Sequence, residues 1–185
     1  MARLKPITPD DMDKAQMEVA GIRPERMATG PFTVWLRRPE LAAIISQLMR
    51  YMRRGGLTLE PRLTELAILV AARAWTAQFA WYAHEPQAVE HGIKQDVIEA
   101  IRHRRTPKFD KPDEAVVYAL TSELAANQKV SDGTYGEALA ILGEGKLVDL
   151  VNLFGFYMMI ATNLVTFEVE IPPEHLPGGK LPLPE

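Results

Sequence analysis

The sequence predicts an all-α protein, a multi-helix bundle, on three observations. Apolar residues recur at helical spacing, as in Leu41, Ile44, Ile45, Leu48, Met49 and Met52. No alternating strand pattern of useful length occurs. Arg62 to Ala74 is apolar nearly all round, which only a helix wrapped by other helices tolerates.

The elements follow in order. Thr8 before Pro9, Asp10 and Asp11 has the form of a helix start, with a hydroxyl cap, a proline in the first turn and carboxylates at the positive helix end, so a helix is expected to about Ala20. Gly21 to Thr33, with Pro24, Gly30 and Pro31, is expected to be a loop, after which Phe32 and Trp35 dock. Pro39 opens a helix through about Arg53, stopped by Gly55 and Gly56. Beyond Pro61 the chain runs without glycine to His91, and Thr76 is a candidate cap for a second helix, which places a corner near Trp75. Gly92 ends that helix, and a short one follows from Gln95 to Arg102. Pro107 to Pro112 reads as a polar loop, Lys111 to Asn127 as an amphipathic helix, and Ser131 as the cap of a helix ending near Gly143. The last helix is expected from about Lys146 to Phe167. One domain over 1–185 is the expectation: an N-terminal helix and loop over 1–38, a core bundle over 39–170, and a proline-rich arm over 171–185.

Composition narrows the function. With 47% hydrophobic and 24% charged residues and a net charge of −3, the chain has the profile of a soluble globular protein, and no nucleic-acid partner is expected. Cysteine is absent, which excludes disulfides, thiolate metal ligands and thiol peroxidase chemistry. The start of the chain has no apolar signal-peptide core, so a cytoplasmic location is expected. Leu147 to Phe167 approaches membrane-spanning length, but Asp149, Asn152, Gly155 and Asn163 interrupt it, and a buried or partner-facing helix is expected, with no membrane association. His84 and His91 stand two turns apart, about 10 Å in rise, so no metal site is expected, and the lone Gly143-Glu-Gly145 is no phosphate loop. No cofactor is therefore expected.

The stretch most suggestive of chemistry runs from Arg62 to Pro86. Glu65 enters an apolar helix, Arg73 follows eight residues on and Trp75 two further, and then comes Phe79-x-Trp81-x-x-His84. This pattern resembles the core motif of the carboxymuconolactone decarboxylase and alkylhydroperoxidase D-like family, with the likeness best over Pro39 to Ile101. The resemblance implies that family's helical fold, a homo-oligomer built as a trimer or hexamer, and a site in which Glu65 stands at the proton-relay glutamate and His84 at the active-site histidine. The peroxidase branch carries cysteines seven and four residues before that histidine. Here those positions are Ala77 and Ala80. The cysteine-free branch commonly has glutamate at the second of them, so Ala80 departs from that pattern also.

The residues themselves suggest roles without the family. His84 shares a helical face with Ala77, Ala80 and Ala88, and small neighbours leave either close packing or room for a ligand. Imidazole exchanges protons near neutral pH. Glu65, held among Leu66, Ile68 and Leu69, is expected to have a raised pKa and to serve as partner acid or base. Arg73 is a candidate clamp for a substrate carboxylate, and Phe79, Trp81 and Tyr157 are candidate pocket walls. Along one straight helix Glu65 and His84 would stand about 28 Å apart, so they meet only if the chain reverses near Trp75. Plainer readings stay open: a structural His84, a Glu65 paired with Arg62, an Arg73 tying down a helix end, and aromatics that only fill the core.

Two functions are consistent with these residues. One is a cofactor-independent, decarboxylase-like enzyme doing decarboxylation, isomerisation or hydrolysis on a small carboxylate or lactone, with His84 moving the proton, Glu65 relaying it and Arg73 anchoring the acid. The other is a non-catalytic ligand-binding or oligomeric interaction protein of the same fold, favoured by alanine at both 77 and 80.

Overall fold

Proline suits the first turn of a helix, because its fixed φ is already helical and its missing N–H has no intrahelical acceptor there. In the computed structural model, which describes residues 2–53, 55–172 and 183–184, this rule is used repeatedly. The helices are α1 (Lys14–Ala20), α2 (Pro24–Met27), α3 (Phe32–Trp35), α4 (Pro39–Arg53), α5 (Pro61–Ala74), α6 (Gln78–Glu90), α7 (Gln95–Arg102), α8 (Pro112–Asn127) and α9 (Asp132–Thr166). Four of them begin on proline, and the described residues contain no strand.

The apolar run of α5 explains the architecture. Every residue from Leu63 to Arg73 is buried, because α6, α8 and α9 pack around the helix and α7 closes one end. Leu66, Ile68 and Leu69 are fully buried, each contributing about 1.5–3 kcal/mol of transfer free energy. Arg62, at the start of α5, donates to Asp113 at 2.6 Å and to the buried Glu114 on α8. It therefore does not form the pair with Glu65 that its spacing allowed.

The expected corner is present, but Thr76 makes it differently. Thr76 adopts a left-handed conformation (φ 50°) and Ala77, not Thr76, occupies the N-cap position of α6. Its hydroxyl instead accepts from Arg73 Nη1 at 2.8 Å and from Arg104 at 3.1 Å. The chain then reverses, and α6 lies back along α5.

At the N-terminus the Thr8 hydroxyl donates to Asp11 Oδ2 at 2.8 Å, and the pair closes only one 3-10 turn over Pro9–Asp11 in place of the expected helix start. The helix proper starts at Lys14, where Asp13 and Gln16 satisfy one another's backbone N–H at 2.8 and 2.9 Å. This reciprocal capping box outcompetes the earlier start. The segment expected as plain loop from Gly21 to Thr33 contains α2 and the first residues of α3. Trp35 docks in the core as anticipated, with Phe32 edge-on at 5.3 Å.

Ser131 caps α9, accepting from Thr134 N at 3.3 Å. Gly143 (φ 74°, ψ 167°) is not helical, so α9 consists of two helices joined at a kink, as the expected helix end near Gly143 anticipated. By length and composition alone α9 is long and apolar enough to cross a membrane; here one face packs on α5 and α8 while Val148, Val151 and Val165 face outward. Most of the proline-rich arm expected over 171–185 lies outside the described residues. Leu183 is described and is buried, exchanging two hydrogen bonds with the Gln78 side chain at 3.0 and 3.1 Å.

Gly30 seats the N-terminal segment on the bundle. It has φ 57°, and a Cβ there would stand 2.5 Å from the Phe79 ring. Gly30→Ala is expected to lose about 1–2 kcal/mol from the left-handed backbone alone, with further loss from the clash, and to lower the melting temperature in a thermal scan. An unchanged melting temperature would mean that this segment does not hold its seat on Phe79.

Candidate active site

The reversal at Thr76 brings α6 alongside α5, so that residues far apart in sequence become neighbours. Glu65, 2% exposed, points from α5 toward His84 on α6. Its Oε2 lies 2.7 Å from His84 Nδ1, and its Oε1 accepts from Arg53 Nη1 at 2.6 Å. Arg53 is the last residue of α4, and its second terminal nitrogen donates to Gln87 Oε1, which stands one turn past His84. Four side chains from three helices thus form one connected group.

The charges follow from these contacts. Burial works against an ionised Glu65, but the hydrogen bonds and positive charge of His84 and Arg53 outweigh it, and the carboxyl is held below the ordinary glutamate range. The expectation of a raised pKa for Glu65 is overturned, because the sequence carried no sign that Arg53 would arrive beside it. Burial also pushes the His84 imidazole down; Glu65 pulls it up, Arg53 pushes it down again, and the net shift is downward. His84 is therefore neutral near pH 7, with Nδ1–H donating to Glu65. The 3.4 Å approach of Arg53 Nη1 to Nδ1 is then a meeting of two donors, which explains the downward push. Nε2 keeps its lone pair and has no hydrogen-bond partner among the described residues. A carboxylate that orients an imidazole in this way fixes its tautomer and stabilises the imidazolium once a proton is taken up.

His84 opens onto a cavity of about 790 Å³ between α6, α9, α4 and the N-terminal segment. Phe79, Ala80 and Tyr157 line it beside His84. The Tyr157 ring stands edge-on to the imidazole at 5.1 Å between centroids. Burial raises the pKa of its phenol well above the usual range, against the pull of Arg53, so Tyr157 stays protonated and offers an O–H. The small-residue stripe on α6 serves both of the purposes open to it: Ala77 and Ala88 are packed in the core, whereas Ala80 borders the cavity.

The structure does not place Arg73 or Trp81 at this site. Arg73 donates to the Arg102 carbonyl at 2.7 Å and to Thr76 Oγ1, tying the end of α5 to the end of α7. The polar ends of two helices satisfy it before any ligand can. Trp81 is fully buried on the far side of α6, its indole N–H donating to Glu85 at 2.8 Å and the Arg102 guanidinium lying 5.2 Å over its ring. Phe79 and Tyr157 stand where a pocket wall was expected, and Glu65 and His84 meet. Arg53 and Gln87 went unnoticed in the sequence. Arg53 reads there as an ordinary basic residue at a helix C-terminus, and no spacing rule distinguishes it.

No protein-family model and no curated protein matches the chain. Among solved structures it resembles an Agrobacterium tumefaciens protein of unknown function, suggested to be the antioxidant defence protein AhpD, with 18% identity, a TM-score of 0.66, and coverage of 75% of this chain and 95% of that one. It also resembles an uncharacterized peroxidase-related protein from a Silicibacter species, with 13% identity, a TM-score of 0.76, and coverage of 94% of this chain and 93% of that one. At such identities the likeness is one of fold. The chain has the all-helical AhpD-like fold that its core motif implied.

Two expectations follow from the charge arrangement. In Arg53→Gln the cation that disfavours the imidazolium is gone, so the His84 pKa should rise, read as a higher midpoint for its ring-proton resonance in an NMR pH titration. A fall would mean that Arg53 does not set the charge of His84. Arg73→Met should lower the melting temperature, because two helix ends lose their tie, while leaving the His84 titration unchanged. A displaced titration would place Arg73 in the site after all.

Proposed function

We propose that the chain is a cofactor-independent acid–base enzyme acting on an organic acid or lactone, with His84 as the proton-transfer group. The observation that carries this reading is the buried Glu65–His84 pair, 2.7 Å apart, with His84 lining a cavity. A general base needs a free lone pair, a pKa near or below the working pH and a group that stabilises its protonated form. His84 has all three.

The neutral imidazole favours reactions begun by removing a proton. In an isomerisation Nε2 takes a proton from carbon beside a carbonyl, the electron pair moves into an enolate, and the imidazolium returns the proton at a second carbon. In a hydrolysis Nε2 takes a proton from water as the oxygen attacks the lactone carbonyl, and the imidazolium passes that proton to the departing alkoxide. In both, negative charge gathers on a carbonyl oxygen, and in this reading Tyr157, which lines the cavity and keeps its proton, donates to it. Decarboxylation needs a donor to protonate the carbanion left when carbon dioxide departs, a role that imidazolium His84 or the Tyr157 O–H would fill. Thiol-based peroxide reduction, suggested by the name of the Silicibacter neighbour, has no nucleophile here, since the chain has no cysteine and Ala80 borders the cavity.

A panel of unsaturated acids and small lactones, followed for product by NMR and for binding by thermal shift, tests the proposal. With a substrate found, His84→Ala should lower kcat by roughly 10²–10⁴ with unchanged helical circular dichroism, since Glu65 keeps its bond to Arg53. Because the base must be neutral, kcat/KM should rise with pH along a limb whose midpoint lies below the ordinary histidine value of 6.5, then level off. Binding without conversion across the panel would favour a non-catalytic ligand-binding protein, the reading that alanine at both 77 and 80 supports.

A further inference from the structure

The charge along the cavity is one-sided. Arg23, Arg26, Arg50 and Arg53 line it, and among the described residues no aspartate or glutamate does. Arg53 is engaged by Glu65 and Gln87, but the side chains of Arg23, Arg26 and Arg50 have no hydrogen-bond or ion-pair partner among the described residues. These three are exposed, whereas Ala80 and Tyr157 beside His84 are buried. The cavity therefore has a cationic mouth and a floor that carries the proton-transfer group. Val19, Met27, Phe32, Met49, Ile160 and Leu164 give the cavity apolar surface, interspersed with the polar Thr29, Ser46 and Gln87.

Size adds a second constraint. The cavity measures about 790 Å³. A simple lactone acid would leave most of the apolar wall wet. A cavity of this volume belongs with ligands of drug-like size.

We propose that the ligand is an amphipathic monocarboxylate with an apolar body on the order of ten carbons, its carboxylate held at the mouth by Arg23, Arg26 and Arg50 and its body running inward along the apolar walls. Three guanidiniums without carboxylate partners select an anion, and the apolar walls select the chain behind it. The orientation rests on the acid–base reading: it brings to His84 a part of the molecule remote from the carboxylate, so a substrate must carry a second carbonyl there for proton removal, and loss of the carboxylate itself does not fit. The binding itself does not depend on turnover.

Isothermal titration of the full chain with hexanoate, octanoate, decanoate and decanol tests the assignment. Affinity should rise with length, by up to about fourfold for each methylene fully buried. Decanoate should bind about tenfold tighter than decanol, the combined effect of three exposed charge pairs. The triple variant Arg23→Gln/Arg26→Gln/Arg50→Gln should bind the two alike. Should that variant unfold, the salt dependence of decanoate binding to the unaltered protein decides, because affinity set by exposed arginines must fall as salt rises. Affinity that ignores chain length or ignores the carboxylate, or a preference for decanoate over decanol that persists in the folded triple variant, overturns the assignment. The expected binding pattern without turnover of any acid counts against the acid–base reading alone, while His84-dependent turnover of acids bound without regard to length counts against this one alone.

Discussion

The ionised Glu65 is the constraint on which the site depends. A carboxylate at 2% exposure is untenable without compensation, since burying an unpaired charge costs several kcal/mol. Arg53 and His84 compensate it from two directions, one on each oxygen. The same contacts decide the state of the imidazole: the carboxylate fixes the proton on Nδ1, and the guanidinium 3.4 Å away discourages a second one. What would be a mere helix-packing histidine becomes a neutral base with one free lone pair. Because α4, α5 and α6 each supply a member, the site exists only while those three helices keep their relative positions.

The rest of the fold serves that positioning. α5 is surrounded so completely that its register against α6 is set by packing, and the left-handed Thr76 turns the chain within three residues. Arg73 and Trp81, attractive as ligand-binding residues, are spent on this framework, Arg73 on the helix ends and Trp81 on Glu85 and Arg102. The N-terminal segment forms the outer wall of the cavity and is seated on Phe79 by Gly30. The residue that carries the wall and the residue that lines the pocket are thus the same aromatic ring.

Alanine at 80 has a chemical consequence. Beside a neutral imidazole, a cysteine would be deprotonated toward a thiolate and would serve as a nucleophile; a methyl group leaves space and no nucleophile. The Glu65–His84 pair is left intact, and the cavity extends beside it. The fold shared with peroxidase-related proteins therefore says little about reaction class, since function resides in the side chains set into the site and not in the helices that hold them.

The all-helical architecture was legible in the sequence because it depends on local regularities. Prolines at 39 and 61 mark helix starts, Gly92 and Gly143 mark interruptions, and a segment apolar on every side can only be a central helix. The meeting of Glu65 with His84 was legible conditionally, given a corner near Trp75. Arg53, Gln87 and the arginines of the cavity mouth were not legible, and Arg73 pointed the wrong way. Hydrophobic periodicity reports which face of a helix is buried, within a few turns of itself. Which charge lands against which, from helices joined by long detours of chain, is settled only when the packed bundle brings their ends together and burial makes each pairing obligatory.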